Sequence, residues 1–141
     1  MKLSIKQKAR NLLASAGLRI TVPRLAVLEV LLRARKPQTA NQIGIKLGGT
    51  SPNKVTIYRV LESLLEAGLV HKAFLRQRAW HFEPADNCTE TQCHPHFTCT
   101  SCEKTHCLTE ITLPMAKTPH KGFAIRHQRV QLEGLCPKCN V

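Results

Sequence analysis

Apolar residues recur at helical spacing through the first part of the chain, and capping or breaking residues separate the segments. Residues 3–16 predict a helix that ends before Gly17, the residue type most often found after a helix C-terminus. Thr21 is placed to cap a second helix, with Pro23 in its first turn and the apolar run LAVLEVLL beyond it. Pro37 breaks this pattern, so two helices are expected before it.

A short third helix and a longer fourth helix follow. The third is predicted from Thr39, as its cap, to Leu47. Ser51 and Pro52 then predict the start of the fourth, as a capping hydroxyl followed by proline at the first helical position. Gly68 predicts the end of this helix.

The fourth helix is amphipathic. At about 100° per residue, its apolar positions share one face; they are Ile57, Val60, Leu61, Leu64 and Leu65. The opposite face is more polar and consists of Val55, Thr56, Arg59, Glu62, Ser63 and Glu66. Tyr58 lies at the boundary, so this helix is expected to bury one face and present Arg59 on the other.

Strand patterns replace the helical pattern after Gly68. The runs LVHKAF and AWHFE alternate apolar and polar residues and are joined by the basic turn LRQR, which predicts a β-hairpin. Helices followed by a hairpin are typical of a winged helix, a fold built around a helix-turn-helix. A generic helical bundle with a solvated basic face is the alternative.

Charge is distributed very unevenly along the chain. Residues 1–78 carry a net charge of +12, whereas residues 79–141 carry none. All seven cysteines and six of the seven histidines lie in the second part. The basic part suits a polyanion, which favours DNA binding over the generic bundle, and the thiol- and imidazole-rich part suits a metal.

The second part predicts a small domain of mixed structure. The runs HFTC, LTEITL and FAIRHQRVQLEG predict strands, with a short helix over residues 115–120. Residues 84–93 are polar and lack periodicity, as expected of a hinge. We therefore expect an α+β protein with a DNA-binding winged-helix domain at 1–83, a hinge at 84–93 and a small α/β metal-binding domain at 94–141.

The cellular setting follows from what the sequence lacks. No window approaches the roughly 20 apolar residues of a membrane span, and the start of the chain lacks the apolar run of a secretion signal. An odd number of cysteines excludes a complete set of disulfides. We expect a cytoplasmic protein whose CxxC pairs bind a metal and which has no membrane partner.

Two CxxC pairs carry the strongest chemical signal. Each pair brings two thiolates onto one ion, and four thiolates close a tetrahedral structural zinc site. The ligands of this site are Cys99, Cys102, Cys136 and Cys139. Two redox dithiols are the alternative, but no thioredoxin-like βαβ pattern surrounds either pair.

A second, regulatory metal site is predicted around an HxH motif. On a strand His94 and His96 point to the same side, so both imidazoles can bind one ion. Further candidates lie upstream, on the hinge or the hairpin: His71, His81, Cys88 and Cys93. Mixed nitrogen and sulfur ligands suit zinc better than magnesium, calcium or manganese.

Other potential ligands have less support. An additional site would use Glu110 and His127, with Cys107 as a further or spare ligand. The run from His81 to Glu83, followed by CxxC, is similar to the motif of zinc deaminases, but Thr98 stands where that motif has proline. Without a catalytic triad or a phosphate-binding glycine loop, we expect no catalytic residues, no small-molecule substrate and no enzyme. A zinc hydrolase or deaminase, and a zinc-storage or RNA-binding protein, are the alternatives from other classes.

Four segments resemble the ferric uptake regulator family over roughly residues 10–139. They are GLRITVPRLAVLEVL, NKVTIYRVLESLLEAGLVHK, HPHFTCTSC and KGFAIRHQRVQLEGLCPKC. TIYRVLESLLEAGLV is similar to the recognition helix of the family, and HxHFxCxxC to its hinge and metal domain. The last segment, together with His71, looks most like the zinc uptake regulator branch.

The resemblance implies a dimeric repressor that binds a palindromic DNA operator when its regulatory zinc site is loaded. The family's Tyr-Arg pair for DNA contact maps onto Tyr58 and Arg59, and the C-terminal strands would form the dimer interface. We expect Thr56 at the same surface, with phosphate contacts from basic residues; these are Lys8, Arg19, Arg24 and Lys54.

One departure bears on the metal. Family members often have an acidic ligand five residues after the second cysteine, where this chain has Cys107. An iron- or peroxide-sensing regulator of the same family is the alternative, but it would be expected to use more carboxylates. The sequence therefore predicts a zinc-responsive repressor.

Overall fold

The chain divides into two compact units, Met1–Ala85 and Asp86–Val141. The computed structural model describes residues 2–34, 36–85, 94–108, 110–111, 113–117 and 121–141. Over these residues the first unit contains four α-helices and a two-stranded sheet, and the second contains a three-stranded sheet. The protein is therefore α+β, as predicted.

The first three helices begin and end close to the predicted residues. They are α1 (Ile5–Ser15), α2 (Val22–Arg33) and α3 (Ala40–Leu47). Gly17 has a φ of 72°, a left-handed conformation that glycine adopts without strain. The Thr21 hydroxyl accepts a hydrogen bond from the Arg24 N–H at 3.4 Å. Thr39 and Gln42 form a reciprocal capping box, so the three sequence signals are confirmed.

The fourth helix begins later than predicted. It is α4 (Lys54–Glu66), and its N-cap is Asn53, whose side-chain oxygen accepts from the Thr56 N–H at 2.8 Å. The Ser51 hydroxyl instead donates to the Pro52 carbonyl at 2.9 Å. The prediction of a Ser51 cap was wrong because Ser51 and Asn53 both offer a capping side chain, and only the structure shows which one accepts from the free N–H groups.

A hairpin follows α4 as predicted, and residue 38 extends its sheet. Its strands are β1 (Val70–Arg76) and β2 (Ala79–Pro84), paired antiparallel. The N–H and C=O groups of Gln38 both bond to Phe82 at 2.8 Å, which fixes the α2–α3 connection to the hairpin. Four helices followed by a hairpin make the first unit a winged helix.

One hydrophobic core joins all the elements of the first unit. It is formed by Ala9, Leu13, Val27, Leu28, Leu31, Ala40, Ile43, Ile57, Val60, Leu61, Leu64, Val70 and Phe82. Four of the five residues predicted on the apolar face of α4 belong to this core, and Leu65 packs against it. Burial of this face leaves the opposite face of α4 toward solvent, with Arg59 exposed.

The second unit is a small sheet in the strand order β4-β3-β5. Its strands are β3 (His96–Cys99), β4 (Thr105–Cys107) and β5 (Gln131–Gly134). The central strand β3 pairs antiparallel with β4 and parallel with β5, where Cys99 lies opposite Gly134. Parallel strands end at the same edge of a sheet, so the CxxC pairs that end β3 and follow β5 meet there.

The secondary-structure predictions for the second unit were confirmed in part: HFTC forms β3, but the later segments differ. The described residues of LTEITL form no strand, and β4 lies just before them at 105–107. Within FAIRHQRVQLEG only the last four residues form a strand. Residues 115–117 are not helical, and the rest of that predicted helix lies outside the described residues. Short apolar runs in a unit with so little core have no packing surface that would enforce a regular element.

The N-cap of α4 can be tested by mutation. We expect Asn53→Ala to lower the free energy of unfolding of the first unit by about 1 kcal/mol, because the Thr56 N–H loses its acceptor. Ser51→Ala should change the free energy of unfolding much less, by about 0.3 kcal/mol, because its hydroxyl caps no N–H group of the helix. Thermal and denaturant unfolding of the two variants, followed by helical circular dichroism, measures both. A larger loss for Ser51→Ala would contradict the observed cap.

Candidate metal and DNA-binding sites

The four predicted structural ligands form one cluster in the second unit. The sulfur atoms of Cys99, Cys102, Cys136 and Cys139 all lie within 4.8 Å of one another. In a tetrahedral zinc site with bonds of about 2.3 Å, two sulfurs are separated by about 3.8 Å. The Sγ atoms of Cys102 and Cys136 are 3.8 Å apart. This four-cysteine cluster therefore has the dimensions of a closed tetrahedral site.

Backbone N–H groups stabilise the thiolate form of one cysteine in this cluster. The N–H groups of Cys102 and Cys136 point at the Cys99 sulfur, at 3.5 and 3.4 Å. These hydrogen bonds lower the pKa of Cys99 to about 6. A hydrogen bond to Cys136 instead favours the protonated thiol of Cys139 and raises its pKa to about 11. A bound cation would favour ionisation of the thiols, so this set of groups fits a metal site.

A second cluster lies on the same sheet. Ligand atoms of His94, His96 and Cys107 lie within 4.8 Å of one another. His96 is almost fully buried and stands directly opposite Cys107 in the β3–β4 ladder, and the rings of His94 and His96 are 4.6 Å apart. Two imidazoles and one thiol make a mixed nitrogen and sulfur donor set, which we call the histidine–cysteine cluster.

The structure assigns Cys107 differently from the sequence. It was predicted as a spare or additional ligand with Glu110 and His127, but it belongs with the HxH motif instead. Among the described residues, Glu110 and His127 join no group of three potential ligands. The register of β3 and β4 would have identified Cys107, but the strand was predicted a few residues too late.

The two hairpin histidines lie in the first unit. The Nε2 atom of His71 is 2.8 Å from a carboxylate oxygen of Glu83, and both side chains are buried. His81 stacks on Phe74 with ring centroids 4.5 Å apart, and burial lowers its pKa. No three potential ligands come together within the described part of this unit. The remaining candidates, Cys88 and Cys93, lie outside the described residues.

A basic groove runs between the start of α2 and the polar face of α4. Its volume is about 540 Å³, and its lining residues are Arg19, Thr21, Pro23, Arg24, Thr56, Arg59, Val60 and Ser63. An Arg24 guanidinium N–H donates to the Arg19 carbonyl at 2.8 Å, which holds the two residues side by side. Four of the predicted DNA-contact residues therefore line one surface. Thr21 and Ser63, which the sequence did not single out, add hydroxyl groups to it.

The other predicted DNA-contact residues lie outside this groove. Tyr58 is 47% exposed and lines a separate cleft of about 190 Å³ between α4 and the hairpin. Lys54 is exposed in the first turn of α4, and Lys8 is exposed on α1. The N-terminal half of α4 thus presents Lys54, Tyr58 and Arg59 to solvent, in the manner of a recognition helix.

Comparison with known proteins identifies the class. Residues 15–133 match the ferric uptake regulator family. The chain is 30% identical over 142 residues to the peroxide operon regulator of Bacillus subtilis, covering 95% of this chain and 92% of the relative. It is 30% identical over 135 residues to the transcriptional regulator FurA of Mycobacterium bovis, covering 92% and 88% of the two chains.

Solved structures share the fold. A zinc uptake regulator complexed with zinc and DNA matches 98% of this chain and 96% of its own, with a TM-score of 0.66 and 24% identity. The Helicobacter pylori ferric uptake regulator, described with three functional metal binding sites, matches 97% and 92% of the two chains, with a TM-score of 0.61 and 18% identity.

The chain belongs to the ferric uptake regulator family. It is therefore a metal-responsive, DNA-binding transcriptional regulator, and the prediction that it is not an enzyme is confirmed by this membership. The zinc hydrolase and deaminase alternative was wrong. Among the described residues, no helix is long and apolar enough to cross a membrane.

The role of the four-cysteine cluster can be tested by comparing two cysteines of the same sheet. Cys99→Ser should release the structural ion and unfold the second unit, because metal binding in such a site supplies folding free energy. Cys107→Ser should retain both the ion and the fold. Metal analysis of the purified variants, with near-ultraviolet circular dichroism, separates the two results. A folded, ion-free Cys99→Ser protein would exclude a structural role.

Proposed function

We propose that this regulator is a zinc-responsive repressor that binds a palindromic operator as a homodimer. The observation that carries the zinc assignment is the histidine–cysteine cluster, in which Cys107 faces His96 across the β3–β4 ladder. Two imidazoles and a thiolate favour zinc, whereas manganese and iron(II) sensors rely more on carboxylates. The four-cysteine cluster is proposed to hold a second, permanent zinc ion.

Regulation is proposed to involve the hinge. We propose that a hinge cysteine, Cys88 or Cys93, adds a ligand to the histidine–cysteine cluster. The ion would then bind the segment that links the two units and limit the arrangements they adopt. If that restricted arrangement binds the operator more tightly, zinc and DNA favour each other's binding by the same factor.

The dimer is supported by apolar side chains exposed on the second unit. Phe123 is 68% exposed, Leu135 47%, Ile125 38% and Leu132 36%. A unit of this size gains little from leaving such side chains in water, so we propose that a second copy of the chain covers them. A two-fold symmetric dimer presents two identical recognition helices, and this symmetry corresponds to an operator with two inverted half-sites.

The DNA contacts are assigned to the basic groove and the exposed part of α4. Arg59 belongs to the groove and projects from the polar face of the recognition helix, where it can donate two hydrogen bonds to a guanine edge or one to a phosphate. Arg19, Arg24, Lys54 and Lys8 would contact phosphates, so affinity should fall as salt rises. Tyr58 and Thr56 complete the proposed surface.

An iron- or peroxide-sensing role is the second candidate, because a relative at 30% identity is a peroxide operon regulator. The two functions differ at one ligand. We expect the wild-type protein to bind a selected operator in the presence of zinc, with a weaker response to manganese or iron(II). Cys107→Asp, which restores the carboxylate expected from the family, should shift the response toward manganese and iron(II). Fluorescence anisotropy with each metal measures this shift.

His96→Ala is the matched control for this metal experiment. It should keep the four-cysteine ion and the fold but lose the response of DNA binding to every added metal. A wild-type protein that responds to iron(II) and not to zinc would overturn the zinc assignment. A full zinc response in His96→Ala would place the sensor outside the histidine–cysteine cluster.

The contribution of the recognition helix can be measured separately. Arg59→Ala should leave the fold intact and weaken operator binding by about 1–3 kcal/mol if the guanidinium contacts a base. Lys117→Ala removes the same charge from an exposed position of the second unit and should have little effect. Gel-shift titrations at constant salt compare the two variants. Equal affinities for both would exclude Arg59 from the interface.

A further inference from the structure

The tip of the hairpin is an unusual place for two long side chains. Gln77 and Arg78 form the two-residue turn between β1 and β2, with φ values of 50° and 64°. Both values lie in the left-handed region, where asparagine and glycine are favoured and other residues are strained by roughly 1–2 kcal/mol each. Both side chains are exposed, so no packing requirement accounts for their size.

The charges of the hairpin that are not buried are all positive, and that of Arg78 is exposed. Lys72, Arg76 and Arg78 are its basic residues, and Glu83 is its one carboxylate. Glu83 is buried and pairs with His71 at 2.8 Å, so it does not neutralise the tip. The Arg78 guanidinium makes no hydrogen bond or salt bridge to the described part of the chain. It is therefore available for a partner.

The turn lies beside the recognition helix. Tyr58 of α4 and Arg78 of the turn line the same cleft of about 190 Å³. The other residues of this lining are Leu61, Glu62, Leu65, Lys72, Trp80 and Phe82. The Lys72 ammonium lies 5.0 Å from the centre of the Trp80 ring, which keeps this cation on the same side of the hairpin.

The position of Glu62 shows where along this surface an anion can bind. This carboxylate lies one helical turn beyond Tyr58 and lines the cleft, so a phosphate inside the cleft would be repelled. The turn itself carries only the Arg78 charge. Strand β1 spans seven residues, which at about 3.3 Å per residue is roughly 20 Å. The turn lies at the far end of this strand, where Arg78 lines the same cleft as Tyr58 in the N-terminal half of α4.

We propose that the Gln77–Arg78 turn is a second DNA contact, in which Arg78 binds a phosphate just outside the segment of major groove that α4 occupies. This inference rests on the proposed operator binding and adds a contact to it. The left-handed arginine then has a function, because a glycine would relieve the strain but would remove the charge. The contact is to the backbone, so it adds affinity and salt dependence rather than base specificity.

Replacing Arg78 by glycine should affect stability and DNA affinity in opposite directions, because it removes both the strain and the charge. Arg78→Gly should leave the thermal midpoint of the first unit unchanged or raise it, because glycine suits the turn. It should also weaken binding to a duplex that the zinc-loaded wild type selects from a random library. Loss of one phosphate contact lowers the salt slope of log K by about 0.9 and the affinity by about fivefold per protomer at about 0.15 M salt.

Two variants keep the charge as controls. Gln77→Asn relieves the strain at the neighbouring position and should bind like the wild type. Arg78→Lys should recover most of the affinity and the salt slope. A duplex with uncharged methylphosphonate linkages flanking the half-sites provides the matching change in the DNA. On this duplex the wild type should bind about as weakly as Arg78→Gly binds the unmodified duplex. Arg78→Gly should bind both duplexes with the same affinity.

Each outcome has a defined meaning. Equal affinity and salt slope for the wild type and Arg78→Gly would overturn the second contact. The contact would also be overturned if the difference in affinity between the wild type and Arg78→Gly were the same on the methylphosphonate duplex, since Arg78 would then act through the fold. Selection of RNA over duplex DNA by the tip would also contradict it. Failure of the zinc-loaded wild type to select any duplex would instead reject the proposed function, which keeps the two results distinct.

Discussion

The second unit depends on the parallel pairing of β3 with β5, because this pairing brings two distant CxxC pairs to one edge of the sheet. Its buried side chains are few, and two of them, Cys99 and Cys136, belong to the four-cysteine cluster. A unit with so little apolar core gains limited free energy from the hydrophobic effect. A cation bound by the four-cysteine cluster would therefore contribute to the folding free energy of this unit.

The same sheet positions the histidine–cysteine cluster, and the two clusters have no ligand in common. Cys99 ends β3 at the edge occupied by the four-cysteine cluster, whereas His96 begins β3 opposite Cys107. One four-residue strand thus has a set of four thiols at one end and a mixed set of imidazole and thiol groups at the other. Four thiolates close a tetrahedral site and leave no open position for exchange. The donor chemistry therefore differs between the two ends of one strand.

The first unit is organised by an ordinary hydrophobic core. The apolar face of α4 packs into that core, and this burial orients Arg59 toward the groove shared with Arg19 and Arg24. The hairpin is joined to the α2–α3 connection through the two hydrogen bonds between Gln38 and Phe82. Because the recognition helix and hairpin share one core, their exposed residues keep a constant spacing, which a DNA-binding surface requires.

Much of the local structure could be predicted from the sequence, because local signals control it. Thr21, Thr39, Gly17 and Gly68 mark helix ends through hydrogen bonds and conformations that involve only neighbouring residues. Predictions failed where two local signals competed, as with Ser51 and Asn53 at the start of α4. They also failed in the second unit, where short apolar runs have little core to pack against.

The sequence by itself determined the class of protein, the basic and thiol-rich parts, and the four cysteines that cluster, since two CxxC pairs have the spacing of a metal-ligand set. Only the tertiary structure placed Cys107 with His94 and His96, because ligand sets that join neighbouring strands depend on strand register. It also decided which arginines share the groove and where Arg78 lies relative to Tyr58. Such relations arise from packing between distant segments, which no local pattern in the chain encodes.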